Sequence, residues 1–281
     1  MTKKAVLTTG LLTVLIAISA FLFYNVEADG KLDKKNYVQS TTPTLFFHGY
    51  GSSANAERHM TNAAKKAGVT KTVIRANVDR NGAVTLRGDI PKGAINPIVE
   101  VNYEDNRNPI DVGRYAKAVV SKLQEKYGFT KMNMVGHSLG NMSILYYLLE
   151  HAQDENLPQL QKQVNIANFA AGLEAMGLSS DVKVDKTTGQ PNQVTQTFQR
   201  LLPLREVFPQ NQIDVLNIYG DYKNGSDGSV LNASSRSLKY LVVDNAKSYQ
   251  EKKIIGKLAQ HSQLHENPEV DKILIQFLWG K

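Results

Sequence analysis

The 281-residue chain contains no cysteine. Disulfides, thiolate zinc sites, iron–sulfur clusters and a cysteine nucleophile are therefore excluded, while the compartment is left open. It has six histidines, so the candidates for an imidazole base are few. No internal repeat or low-complexity tract is visible, which excludes solenoid and linker architectures. With 42% hydrophobic and 21% charged residues the composition is that of a globular protein, not a disordered, collagenous or coiled-coil one. A chain this long buries enough surface to fold without staples. Its formal charge is +7, from 33 Lys+Arg against 26 Asp+Glu. The basic residues are scattered pairs such as Lys34-Lys35 and Lys252-Lys253, with no Arg-rich helix and no basic stripe interleaved with aromatics. That pattern argues against nucleic acid and for an anionic envelope or lipid surface.

Lys3 and Lys4 precede an uncharged run over residues 5–25, and Glu27 and Asp29 follow it. About 20 apolar residues cross a bilayer as a helix. Basic residues before the run and acids after it put the N-terminus in the cytoplasm. Residues 1–28 are therefore expected to be a signal peptide, cleaved near Val26-Glu27-Ala28 or Ser19-Ala20, or an uncleaved membrane anchor. Residues 29–42 read as a polar linker, and 43–281 as one body lying outside the membrane.

Within that body strands alternate with helices. Strands are expected at Thr44–Phe47, 97–103, 131–135, 164–170, 213–219 and 252–255, with a hairpin turning at Asn81-Gly82. Helices are expected at 52–68, 111–127, 141–151 and 270–279. This order implies a mostly parallel central sheet with helices on both faces, an α/β fold. Over residues 172–212 apolar periodicity fades, and an excursion of that length inside a compact body marks a candidate lid insertion.

Gly136-His137-Ser138-Leu139-Gly140 is Gly-x-Ser-x-Gly between a strand and a helix, the setting of a nucleophile elbow. A serine nucleophile needs a base and an orienting acid, which follow it in the order acid, then histidine. The acid is sought after strand 213–219, where Asp221 and Asp227 stand. Asp227 is preferred for its setting in Gly225-Ser226-Asp227-Gly228, with Asp221 as the alternative. Of the histidines only His261 and His265 come after both acids. His261 is preferred because Leu264 can bury behind it, and His265 is the alternative, read as a partly exposed residue near the start of the last helix. Two backbone N–H groups must face the oxyanion. Leu139 follows the nucleophile, and Tyr50 lies in the loop His48-Gly49-Tyr50-Gly51-Ser52 after the first strand. That loop lacks the spacing of a phosphate-binding or dinucleotide-binding glycine motif.

The segments FFHGYGSSANAE, NMVGHSLGNMS, GSDGSV and QHSQLHENPEV together resemble the α/β-hydrolase superfamily, and within it a group of proposed cell-surface hydrolases of Gram-positive bacteria of unknown function. The resemblance spans roughly residues 40–281. It implies an eight-stranded type of core sheet and an ester-directed Ser138, Asp227, His261 triad, with Tyr50 and Leu139 as oxyanion donors. The expected function is an extracytoplasmic serine esterase or lipase-like hydrolase for small-molecule or lipid esters, needing no metal or organic cofactor. A thioesterase, amidase or acyltransferase on the same triad, and a non-catalytic surface-binding module, are the alternatives.

Overall fold

A computed structural model describes residues 31–281. The expected signal peptide or anchor at 1–28 lies outside the described residues. Residues 31–42, read as a linker, run along the body. The Asp33 N–H donates to Gly68 O at 2.8 Å, the Val38 N–H to Trp279 O at 2.8 Å, and Tyr37 forms a β-bridge with Gly280.

In chain order the elements are β1 (Thr44–Phe47), α1 (Arg58–Lys66), β2 (Val73–Val78), β3 (Val84–Arg87), β4 (Ile98–Tyr103), α2 (Val112–Tyr127), β5 (Lys131–His137), α3 (Leu139–His151) and β6 (Gln159–Ile166). They continue with α4 (Gln196–Leu201), α5 (Leu204–Val207), β7 (Asp214–Asp221), α6 (Asn232–Arg236), α7 (Leu238–Val242), β8 (Ser248–Ile255) and α8 (Pro268–Trp279). The eight strands form one sheet in the order β3-β2-β4-β1-β5-β6-β7-β8. All neighbours are parallel except the β2–β3 hairpin.

The helices cover both faces, as the α/β pattern requires. On one face Tyr115, Val119 and Leu123 of α2 and Ile144, Leu145 and Leu148 of α3 pack with Leu45, Val99 and Met134. On the other, Met60 and Ala64 of α1 and Val270, Leu274 and Leu278 of α8 pack with Phe46, Val135, Ile166 and Leu216. The alternation Leu45/Phe46 sends successive side chains of β1 into opposite cores, so a one-residue slip would exchange the two layers.

Three elements differ from the sequence expectation by more than two residues at a boundary. The helix expected over 52–68 opens as a 3₁₀ turn, Ala54–Glu57, capped by Ser53, whose hydroxyl accepts the Asn55 N–H at 3.4 Å. The strand expected at 164–170 lies at Gln159–Ile166. Its first half is polar, and the apolar residues Phe169, Ala170 and Ala171 that follow are buried by the loop instead. β8 begins at Ser248, earlier than residue 252. In the stretch 172–212, Phe198 and Leu201 are buried in the core and Leu173 and Leu202 partly so, while Met176 and Val194 are exposed. Among the described residues no helix is long and apolar enough to cross a membrane.

Candidate active site

Ser138 sits between the end of β5 and the start of α3, with φ 53° and ψ −120°. A non-glycine residue with positive φ stores about 1–3 kcal/mol of strain and persists only where its surroundings over-determine it. Here they do. The Ser138 N–H donates to Ile166 O at 3.0 Å, and the Ser138 carbonyl accepts from the Asn141 N–H at 3.0 Å and the Asn141 Nδ2 at 2.9 Å. The same Nδ2 reaches Ile166 O at 2.9 Å. Close packing of the elbow demands glycine after it, because a Cβ on Gly140 would lie 2.0 Å from the Phe47 carbonyl oxygen.

His261 opens a 3₁₀ turn, His261–Glu266, between β8 and α8. Its Nε2 lies 3.0 Å from Ser138 Oγ and its Nδ1 2.8 Å from Asp227 Oδ2. A carboxylate only accepts, so Nδ1 carries the hydrogen and the Nε2 lone pair accepts the serine hydroxyl. Asp227 is 1% exposed. Its Oδ1 accepts the N–H groups of Ser229 at 2.8 Å and Val230 at 2.7 Å, which leaves Oδ2 for the imidazole. The acid is thereby held by its own turn, with Gly228 at φ +93° closing it.

The two alternatives lie elsewhere. Asp221 ends β7, where its carboxylate pairs with Lys253 and accepts the Gly225 N–H at 3.1 Å. The lysine beside it holds its pKa below the usual carboxylate range. His265 faces Glu266 at 3.2 Å through Nδ1, and its ring sits edge-on to His137 with centroids 4.7 Å apart. Burial pushes its pKa down. Among the described residues neither Asp221 nor His265 hydrogen-bonds Ser138.

Leu139 follows the serine in the chain, and Tyr50 follows Gly49, where an added Cβ would lie 3.1 Å from Ser138 Cβ. Leu139 is the first residue of α3, where helix N–H groups have no intrahelical acceptor. Among the described residues neither the Tyr50 nor the Leu139 N–H donates to a protein acceptor. The Tyr50 peptide is set from behind by His48, which is buried. The Tyr103 N–H donates to His48 Nε2 at 3.1 Å, so Nδ1 bears the hydrogen and donates to Gly49 O at 2.9 Å. In a trans peptide, holding the Gly49 carbonyl toward His48 turns the Tyr50 N–H the opposite way. The next turn of the loop is fixed by the Gly51 N–H donating to Asn106 O at 2.8 Å.

Sequence reasoning did not single out His48, His137, Asn141 or Gly220 as parts of this site. Gly220, near the end of β7, had a readable signal, since glycine inside a strand often marks a close backbone approach. A Cβ there would lie 2.0 Å from Ala259 O and 3.1 Å from Asp227 Cβ.

The architecture is shared with solved structures. A Listeria innocua protein is 26% identical over 85% of this chain and 94% of its own, with a TM-score of 0.74. A proposed cell surface hydrolase from Lactobacillus plantarum is 19% identical over 84% and 89%, with a TM-score of 0.67. No curated protein matches the chain. Residues 31–281 match the family described as alpha/beta hydrolase of unknown function (DUF915), and with its mostly parallel eight-stranded sheet the chain belongs to that family.

Proposed function

We propose that the chain is a serine hydrolase that cleaves carboxylic esters through an acyl-enzyme. The observation that carries this reading is the continuous relay from Ser138 Oγ to His261 Nε2 at 3.0 Å and from His261 Nδ1 to Asp227 Oδ2 at 2.8 Å. His261 takes the hydroxyl proton as Ser138 Oγ attacks the ester carbonyl. Asp227 holds the tautomer and stabilises the imidazolium. The N–H groups of Tyr50 and Leu139 stabilise the negative charge that develops on the carbonyl oxygen. His261 then gives its proton to the departing alkoxide, the alcohol leaves, and the serine keeps the acyl group. Water, deprotonated by His261, attacks the acyl carbonyl, and collapse returns the proton to Ser138 and frees the acid.

The substrate is an ester-type small molecule or lipid met outside the cytoplasm. The apolar run at residues 5–25 supports this location, as does the name of the Lactobacillus plantarum structure. Residues 1–28 act as signal peptide or anchor and 43–281 as the catalytic body, with 172–212 as an insertion over the site. A chain beginning at Gly30 keeps the contacts of residues 33–38 with the body and is expected to be active.

A fluorophosphonate probe and a short-chain nitrophenyl ester test the reading together. Wild type should be labelled and should turn over the ester, and Ser138→Ala should do neither while melting as wild type does. Labelling or near wild-type turnover in Ser138→Ala would overturn it.

A further inference from the structure

The residue before the nucleophile has a side chain with a role of its own. His137 ends β5 and is buried. Its Nε2 lies 3.0 Å from the backbone carbonyl oxygen of His261. A carbonyl only accepts, so Nε2 carries the hydrogen and donates. The His261 backbone is thus gripped on both sides, because its N–H donates to the Asp227 carbonyl oxygen at 2.9 Å. The three links of Ser138 and His261 close a ring. Ser138 is peptide-bonded to His137, His137 holds the His261 backbone, and the His261 imidazole returns to Ser138 Oγ.

The surroundings favour a neutral donor. The His137 ring packs against His261 at a centroid distance of 4.9 Å and against His265 at 4.7 Å. On its other side the backbone passes so close at Gly49 that a Cβ there would lie 3.2 Å from His137 Nδ1. Burial and the adjacent imidazoles hold its pKa well below the usual histidine range. A neutral Nε2–H does not repel the imidazolium that forms on His261, whereas a lysine or a charged histidine at this position would.

We propose that His137 is a positioning residue, which sets the distance between the base and the nucleophile by holding the His261 carbonyl from the strand that carries Ser138. This rests on the serine-hydrolase reading. The bond spans 124 residues of chain and joins the elbow to the turn that carries the base. Without it the backbone at His261 would be held to the site by one bond, from its N–H to the Asp227 carbonyl. A displacement of about 1 Å between reacting groups can cost roughly 100-fold in rate.

The test compares His137→Leu, which removes the donor, with His137→Gln, whose amide N–H can still reach a carbonyl. Turnover is measured per active site, counted by fluorophosphonate titration, so that unfolded chains do not enter. The expected result is a fall in kcat of about 30-fold to 1000-fold in His137→Leu, with KM within about 3-fold of wild type. His137→Gln should recover at least about 10-fold of that loss. Were the side chain needed only for packing, leucine would serve at least as well as glutamine. A kcat for His137→Leu within about 3-fold of wild type, or equal losses in the two variants, overturns the proposal. Nitrogen-15 NMR of wild type supplies a measurement that no folding failure can remove. His137 should show a protonated Nε2 and a bare Nδ1 at neutral pH, and the opposite tautomer overturns the proposal. Ser138→Ala measured alongside separates the two levels. Activity surviving there defeats the serine-hydrolase reading itself, whereas loss there with an unaffected His137→Leu defeats only the positioning role.

Discussion

Asp227 holds His261 twice. The His261 N–H donates to the Asp227 backbone carbonyl at 2.9 Å, and the His261 ring donates from Nδ1 to the Asp227 carboxylate at 2.8 Å. The acid therefore fixes both where the histidine stands and which nitrogen faces the serine.

That double hold separates two effects in one substitution. Asp227→Asn keeps the backbone bond but offers an amide where the carboxylate was, so the imidazole can present the wrong tautomer. Losses of about 10⁴ in kcat follow from such a change in a triad. Asp221→Asn should cost less than about 5-fold, because Asp221 is spent on Lys253 and the Gly225 N–H. Kinetics of the two variants on one ester check this, and the reverse ranking would move the acid to Asp221.

The two histidines of the 261–266 turn should behave differently. His261→Ala removes the only imidazole within hydrogen-bond reach of Ser138 among the described residues, and activity should fall by at least about 10³-fold. His265→Ala removes a ring that packs on His137 and should retain roughly a third or more of wild-type kcat. Full activity in His261→Ala would reassign the base.

Gly220→Ala should damage the site from a distance. The added methyl would sit 2.0 Å from the Ala259 carbonyl oxygen, a backbone atom that cannot swing aside. Overpacking costs roughly 1–3 kcal/mol. The segment that must retreat leads directly to His261, so kcat should drop by at least about 10-fold in the folded fraction. Chemical denaturation and active-site titration measure the two losses, and a variant as stable and as fast as wild type would refute the close approach.

Glu57 gives stability a pH slope. It is fully buried, and neither carboxyl oxygen has a protein partner among the described residues. Burial, with Glu100 and Glu266 nearby, raises its pKa from 4.5 to about 8. The folded state therefore keeps a proton that the unfolded chain releases above about pH 4.5, so stability falls as pH climbs from there to about 8 and then levels. Glu57→Gln carries no such proton. It should match wild type near pH 4 and exceed it by up to roughly 5 kcal/mol at pH 9. Parallel denaturation curves across that range would show that Glu57 is not held neutral.

Most of the sheet was legible because buried parallel strands read as short apolar runs, as Thr44–Phe47 does. Of β6 only the end, from Val164, was read, although the strand lies inside the sheet. Gln163 and Asn165 are fully buried in it, with Gln163 Nε2 donating to Asn165 Oδ1 at 3.0 Å, so polarity that sequence reads as surface is partly paired within the core, while Gln163 Oε1 has no partner among the described residues. β8 was shortened for the opposite reason. It is an edge strand, where Glu251, Lys252 and Lys253 are admissible. The helices α6 and α7 escaped because Ser234, Ser235 and Ser237 read as turn chemistry. In the structure their hydroxyls donate to the carbonyls of Gly172, Asn168 and Ser234. At the site, Ser138 and the order acid then histidine were readable from motif and position. The spacing of His261 and His265 alone could not show that a 3₁₀ turn gathers both rings around His137.

The bridge between Tyr37 and Gly280 also brings the first and last segments of the described residues together. Lys162, early in β6, donates from Nζ to the last carbonyls of α8 at Phe277 and Leu278, so that helix finishes where the strands begin. Residues 37–38 meet 279–280 at this edge, and Ser138 lies past the far end of β5, roughly 20 Å along the sheet. A tether fastened at residues 37–38 or 279–280, whether lipid bilayer or resin bead, would present the Ser138 end of the sheet away from the support. Tension applied at residue 37 or 280 would first load the pairing between them, leaving the hydrogen bonds that join Ser138, His261 and Asp227 out of the line of force.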